Sequence, residues 1–443
     1  MFFLSANYIC CMRKVLPFLL LVVLHGGARA QSLYFPPLSG ATWDTLSPAS
    51  LGWCQPQIDS LLDYLGDRNT KAFMVLKDGK IVIEHYYGTF TADSSWYWAS
   101  AGKSLTAVLT GIAQQEGYLS INDTSSNYLG TGWTSAPLPK ENLISVRNQL
   151  TMTSGLDDNV ADDDCTEDTC LLYLADAGTR WAYHNAPYTL LDGVIESSTG
   201  MSLNSYFLQK LTFTTGMTGL YLQQGYNNVF FSKPRSMARF GLMMLNHGNW
   251  NGQQLLDTNY LNQMINTSQS LNESYGYLWW LNGKSSYMLP GLQFVFPGSM
   301  TSSAPTDMYS ALGKNGQILN VVPSMKLIMI RLGDPPAAGS VFVPNFFNDT
   351  LWQKFNAVLC NVSAVEEPEI AASIYPNPAS DQLYIDLPGK VFDVSILNLE
   401  GKEMQQQRKV TGGCRVDLSL APGLYIAQIK SGNKMYHHKL VVQ

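Results

Sequence analysis

Asp78-Gly79 stands between two apolar runs, Lys71–Leu76 and Lys80–Tyr87. Such a dipeptide between strand-forming segments is a strong hairpin signal, because glycine takes the positive φ that a tight turn needs. A helical pattern precedes it, with Ile58, Leu61, Leu62 and Leu65 recurring at helical spacing over Ser47–Gly66. Another follows it, with Ala101, Leu105, Val108 and Ile112 on one face of Trp98–Gly117. A helix, an antiparallel hairpin and a buried helix in succession exclude a run of βαβ units and predict an α+β domain.

The first turn of that second helix carries Ser100 and Lys103. A separation of three puts both side chains on one helix face. A serine hydroxyl is a weak nucleophile until a base stands beside it, and a lysine amine one turn away supplies one. The pattern recurs at Ser431 and Lys434, where Gly432-Asn433 reads as a turn. Ser-x-x-Lys alone therefore has a plain alternative, a capping serine followed by a solvated lysine.

Further along, Ser145–Met152 reads as a helix that Thr151-Met-Thr-Ser-Gly-Leu156 breaks. Asp157–Cys170 holds seven acids and reads first as a solvated loop. Clustered carboxylates also suit calcium, although the spacing is not that of an EF-hand. Helices are expected at Tyr188–Ser197, Ser202–Lys210 and Lys233–His247, and a buried aromatic strand at Tyr275–Trp280. Met308–Leu312, Gln317–Val322 and Leu327–Leu332 are apolar segments separated by turn residues, which predicts consecutive antiparallel strands. A last helix, Asn345–Leu359, closes the domain. Residues 363–372 read as a linker, and short strands then recur without helices: Gln382–Leu387, Asp393–Asn398, Arg415–Leu418, Gly423–Lys430 and Lys434–Val442. That pattern predicts a small β-sandwich over 373–443.

At 443 residues the chain has room for a large domain and a small one, and its net charge of −6 offers no basic field for nucleic acid. Arg13 and Lys14 precede the apolar run Val15–Leu24, and Ala28-Arg29-Ala30 closes it. This is a secretory signal over residues 1–30, with an apolar run too short to span a bilayer. Export suits disulfides. Cys165 and Cys170 are spaced to close a small loop, and Cys54 with Cys360 would join the ends of the domain, but sequence leaves the pairing open. Scattered histidines and the lack of Cys-x-x-Cys argue against zinc.

Two more stretches join Ser100-Ala-Gly-Lys103: Tyr183-His-Asn185 and Lys314-Asn-Gly316, about 80 and then 130 residues further on. Their order and spacing, with Met152-Thr-Ser-Gly-Leu156, resemble the serine β-lactamase and penicillin-binding-protein superfamily over Ser47–Leu359. Tyr-x-Asn points to its class C branch, which also holds D-aminopeptidases, esterases and 6-aminohexanoate-dimer hydrolases. The resemblance implies a central antiparallel sheet with helices on both faces, a helical lobe, and a domain covering 31–362. It implies an acyl-enzyme on Ser100, with Lys103 accepting or relaying the proton and Tyr183 as base in acylation and activator of water in deacylation. Asn185 would contact Lys103 and the substrate amide, and Lys314 would hold positive potential near the tyrosine. Gly316 and the Gln317 backbone N–H would complete an oxyanion hole, and no metal or cofactor is called for. His184 reads as structural. Asn315 replaces the threonine of the family's third box, which favours an ester or amide hydrolase over a β-lactamase or D-peptidase. The rival reading, a surface-binding protein that kept the fold, has no need of Ser100, Lys103, Tyr183 and Lys314 together.

The tail carries its own resemblance. Ile374-Tyr-Pro-Asn-Pro-Ala379 and the ending Gly423-Leu-Tyr-Ile … Lys439-Leu-Val-Val-Gln443 resemble the C-terminal sorting domain of the Bacteroidetes type IX secretion system. It implies recognition by secretion machinery, periplasmic transit, and a destination at the cell surface or in the medium.

Overall fold

The structure is a computed structural model that describes residues 33–337, 343–360, 373–387, 391–399, 401–411, 413–432 and 434–443. The expected signal segment and linker lie outside the described residues.

The first expected helix is divided in two. Pro48–Leu51 forms a 3-10 turn that Gly52 ends at φ 72°, and α1 runs over Gln55–Gly66 with Ile58, Leu61 and Leu65 buried. The helical spacing is real but begins later, because the left-handed Gly52 cannot continue a helix. The hairpin follows as read, with β1 at Thr70–Lys77 and β2 at Lys80–Tyr86. Gly79 is obligatory in its turn, since a Cβ there would lie 2.1 Å from the Tyr34 carbonyl oxygen.

β3, Trp96–Tyr97, leads through a 3-10 turn at Ala99–Ala101 into α2, Gly102–Gln115. α3 is Val146–Leu150, opened by a capping box between Ser145 and Asn148. α4 is Asn185–Thr199, starting three residues before the expected position. A hairpin then appears that the sequence reading missed, β4 at Gly219–Gln224 and β5 at Asn227–Ser232. α5 is Pro234–Leu245. The aromatic stretch Tyr275–Trp280 is buried as read but is mostly not a strand: β6 covers only Trp280–Leu281. Gly276 passes so close to the Met264 carbonyl that a Cβ would meet its oxygen at 2.0 Å, and Leu278 takes φ 58°, so the chain there cannot stay extended. β7 (Tyr309–Gly313), β8 (Gln317–Val322), β9 (Leu327–Gly333) and α6 (Asn345–Val358) follow.

The central sheet has the order β2-β1-β9-β8-β7-β6 and is antiparallel throughout. Every residue of β8 and β9 is buried, so both faces of the sheet are covered. Gly241 of α5 lies against Leu319 and Ile328 on one face. On the other, Asn348 of α6 exchanges hydrogen bonds of 2.7 and 3.1 Å with Asn320. This buried amide pair fixes the register of α6 on the sheet, because a slip would strand polar atoms. Cys54 and Cys360 form a disulfide across 306 residues, which ties α1 to the end of α6.

In the tail, β10 (Ser373–Tyr375), β11 (Gln382–Asp386) and β14 (Cys414–Asp417) form one sheet, ordered β10-β11-β14. The other has the order β13-β12-β15-β16, from β12 (Val391–Leu397), β13 (Glu403–Thr411), β15 (Gly423–Ser431) and β16 (Lys434–Val442). Leu383, Ile385, Val394, Ile396, Ala427 and Ile429 build a hydrophobic cluster separate from the larger core. β10 and β13 were not expected. β13 is a mostly polar edge strand with no buried position, and its two apolar residues, Met404 and Val410, make no alternation that announces it.

Candidate active site

The turn before α2 is held from the side of the missed hairpin. The Trp98 amide donates to Phe230 O at 2.8 Å, and its indole N–H to Ser232 Oγ at 2.8 Å. Ala99 takes φ 47°, a left-handed conformation that costs a residue bearing Cβ and is kept only where surroundings enforce it. The chain then delivers Ser100 into the 3-10 turn and Lys103 into the first turn of α2.

Lys103 is 4% exposed. Its Nζ lies 3.8 Å from the ring centre of Tyr188 and 5.4 Å from that of Tyr183. The electron-rich ring faces attract a cation but accept no full hydrogen bond. Burial pulls the ammonium down to about 7, against the opposing pull of Asp164, Asp163 and Asp192 and with help from Lys314. Tyr183 stacks on Trp280 at 5.6 Å and meets Tyr275 edge-on at 6.2 Å. Burial pushes its phenol well above the ordinary range, and Ser100, within hydrogen-bonding reach, opposes that shift.

Ser100, Lys103, Tyr183, Asn185 and Lys314 line a single cavity of about 280 Å³. Five residues named from three distant stretches thus meet at one place. Gly316 and Gln317 do not line it. Gln317 turns its side chain to the Gly333 backbone, donating to the carbonyl at 2.7 Å and accepting from the amide at 3.0 Å. Asn315 donates to the Tyr97 hydroxyl at 2.8 Å and also stays out of the cavity. The glycine packed under the nucleophile turn is Gly313, where a Cβ would meet Trp98 O at 2.4 Å and Ala101 N at 3.0 Å. The residues between β7 and β8 form the turn expected of them, and the glycine that approaches the nucleophile is Gly313 and not Gly316, the glycine of Lys-Asn-Gly.

Arg331 was not anticipated. It is wholly buried and donates to Asn315 O at 2.7 Å, Gly316 O at 3.0 Å, Arg68 O at 2.7 Å and Asp334 O at 2.9 Å. It therefore clamps the turn that carries Lys314. A lone arginine in the apolar run of β9 was the available signal.

The acidic loop roofs the cavity with Asp158, Asp163 and Asp164. The loop is anchored at several points. Asp158 pairs with Arg180 at 2.5 Å, Asp163 accepts from Asn185 Nδ2 at 3.4 Å and from the Ala186 amide at 3.0 Å, and Cys165 is bonded to Cys170. Asp162, Asp163 and Asp164 bring carboxylate oxygens within 4.8 Å of one another, and among the described residues nothing beyond that cluster supports calcium. His184 is buried outside the cavity lining, and burial holds it near 4 and neutral. Asp192 lies buried on α4, and burial raises its carboxyl to about 7.

The β-lactamase family profile matches residues 58–333. The chain belongs to the β-lactamase family. In fold it resembles a protein of Bacillus anthracis described as a putative 6-aminohexanoate-dimer hydrolase, at 16% identity and TM-score 0.54, covering 73% of this chain and 89% of that one. A protein of Bacteroides dorei described as a β-lactamase is similar at 18% identity and TM-score 0.54, covering 69% and 99%. An octameric penicillin-binding protein homologue of Pyrococcus abyssi is similar at 13% identity and TM-score 0.51, covering 88% and 96%. No curated protein matches the sequence. Residues 373–443 match the secretion system C-terminal sorting domain, so this β-lactamase-family chain is exported by type IX secretion to the cell surface or beyond it. Among the described residues, no helix is long and apolar enough to cross a membrane.

Proposed function

We propose that the chain is a secreted serine hydrolase that cleaves ester or amide bonds through an acyl-enzyme on Ser100. The observation that carries this reading is the meeting of Ser100, Lys103 and Tyr183 in one cavity. Neutral Lys103, near 7, takes the proton from the Ser100 hydroxyl as its oxygen attacks the carbonyl. Burial holds Tyr183 as the neutral phenol, so its anion is too scarce to be the resting base; the proton taken by Lys103 is handed on to the leaving group, with the Tyr183 hydroxyl as relay. Of the two roles expected of Lys103, acceptor or relay, this keeps the acceptor, and it withdraws the base role from Tyr183. Water then attacks the acyl-enzyme, with its proton passing back to the same pair. The Ser100 N–H is one oxyanion donor. The Lys314 N–H, next to Gly313, replaces Gln317 as the other. Asn185 holds an amide oxygen that is buried without a partner, which suits it to meet a substrate N–H.

With Gly313 as the third-box glycine, the residue before it is Leu312, which has no hydroxyl to bind a β-lactam carboxylate, and this favours the present reading over β-lactam hydrolysis. The test is intact mass after exposure to a fluorophosphonate, with Ser100→Ala alongside. One adduct on the wild type, mapped to Ser100 and absent from the variant, is the expected result. No adduct on a folded protein would move the assignment to a binding protein.

A further inference from the structure

A small hairpin joins the cavity to the tail. The two-residue strands Ser286–Tyr287 and Phe296–Pro297 pair antiparallel, and the chain between them carries Pro290 and Gly291, which line the cavity of Ser100. This lip is tied at one point to the stretch that carries Tyr183, where Gln293 Nε2 donates to Trp181 O at 3.0 Å. The next residue, Phe294, meets Phe296 edge-on at 4.6 Å, and Phe296 stacks on Tyr287 at 5.2 Å. The Phe294 ring also lies against Gly401 of the sorting domain, so closely that a Cβ on Gly401 would run into it. Gly401 stands in the turn between β12 and β13, which its amide fastens by donating to Asn398 O at 3.0 Å. The lip is thus held from two sides, and one of the holders is the export tail.

We propose that this hairpin is the seat of the sorting domain, and that the seated tail keeps the lip from swinging outward, so that substrates larger than the cavity are excluded until the tail is released. The contact is far smaller than an interface that holds two free proteins together. Residues 361–372 keep both partners on one chain, and across so short a connection a contact forms against an effective concentration of about millimolar. A weak contact therefore holds while the chain is whole and is lost once the connection is cut. An outward swing of the lip needs Phe294 to leave Gly401, and after cutting only Gln293 and the aromatic stack oppose it. The gating rests on the Ser100 acyl-enzyme reading and adds its control, whereas the seating stands apart from that reading.

The test uses the full mature chain with a specific protease site inserted in residues 363–372, before and after cutting. Two readouts are compared: the kcat/KM ratio of 4-nitrophenyl 4-phenylbutanoate to 4-nitrophenyl acetate, and hydrogen exchange of the 289–296 amides. Cutting should raise the ratio by about threefold or more and speed the exchange. Gly401→Asn should do the same in the uncut chain, since asparagine accepts the positive φ of 78° there and its side chain displaces Phe294. Cutting that variant should then add little. A ratio unchanged by cutting overturns the gating, and exchange unchanged as well overturns the seating. If Gly401→Asn fails to fold, the cut and uncut wild type decide. Fluorophosphonate labelling separates the two levels. Labelled Ser100 with no change in ratio sinks only this inference, whereas no labelling and no turnover in either form sinks the hydrolase reading and the gating with it.

Discussion

Arg331 and Lys103 are both cations removed from water, at 0% and 4% exposure, and they are treated in opposite ways. Arg331 sends its guanidinium donors to four backbone carbonyls and to Thr70 Oγ1 at 3.1 Å. Lys103 is met by aromatic faces. The saturated cation stays charged and holds a turn in place, although burial lowers it to about 10. The unsaturated one is brought to the edge of losing its proton. Burial alone does not make a group reactive; burial without hydrogen-bond compensation does.

That contrast breaks if the two residues respond alike to substitution. Lys103→Met should lower kcat/KM by about 10²–10⁴, the usual span for a positioned acid–base group. Its thermal midpoint should hold or rise, because a thioether replaces a poorly compensated cation at similar volume. A loss of stability there comparable to that at Arg331 would end the comparison.

Arg331→Met should do the reverse. Leaving several buried carbonyls unpaired, at about 1–3 kcal/mol each, predicts a loss of at least ~3 kcal/mol in urea unfolding. Arg331→Lys should recover little, since an ammonium cannot present the guanidinium fork. Any fall in activity should follow the disturbed Lys314 turn, and full stability in either variant would show that the clamp is dispensable.

The same contrast marks what the sequence could disclose. Ser100, Lys103 and Tyr183 were legible because chemistry restricts their types and spacing, and β1, β2, β7, β8 and β9 because apolar runs and turn residues delimit them. Arg331 was not, because its place in an apolar run signals burial but says nothing of the carbonyls from distant turns that it holds. The β4–β5 hairpin was hidden for a related reason: Gly219–Gln224 has only one buried position, so its strand character comes from pairing with β5 and not from its own pattern. The third box was displaced because Gly313 and Gly316 flank the same turn, and nothing local says which of them meets the nucleophile. Only the approach of Gly313 to the Trp98 carbonyl resolves which glycine lies beneath the nucleophile.

A pH profile sharpens the Lys103 side of the comparison. With the ammonium at about 7 and the neutral amine as the active form, kcat/KM should rise about tenfold per pH unit below that value and level off above it. A profile flat from pH 5 to 9 would show that Lys103 is not the base.

The smallest effect tests the loop above the lysine. Asp163 and Asp164 favour the charged form of Lys103, so Asp163→Asn and Asp164→Asn should each move the midpoint of that profile to lower pH. Both carboxylates also face the cavity, where they should favour cationic over anionic esters. Their neutral variants, with Asp162→Asn as the exposed member of the cluster, should therefore lose a few-fold of that selectivity, and the loss should shrink at high salt. The two readouts have separate origins. A midpoint that moves without a change in selectivity would assign the loop to tuning the base. Selectivity that changes at a fixed midpoint would assign it to the substrate, and would mean that the fields of Asp163 and Asp164 do not reach Lys103.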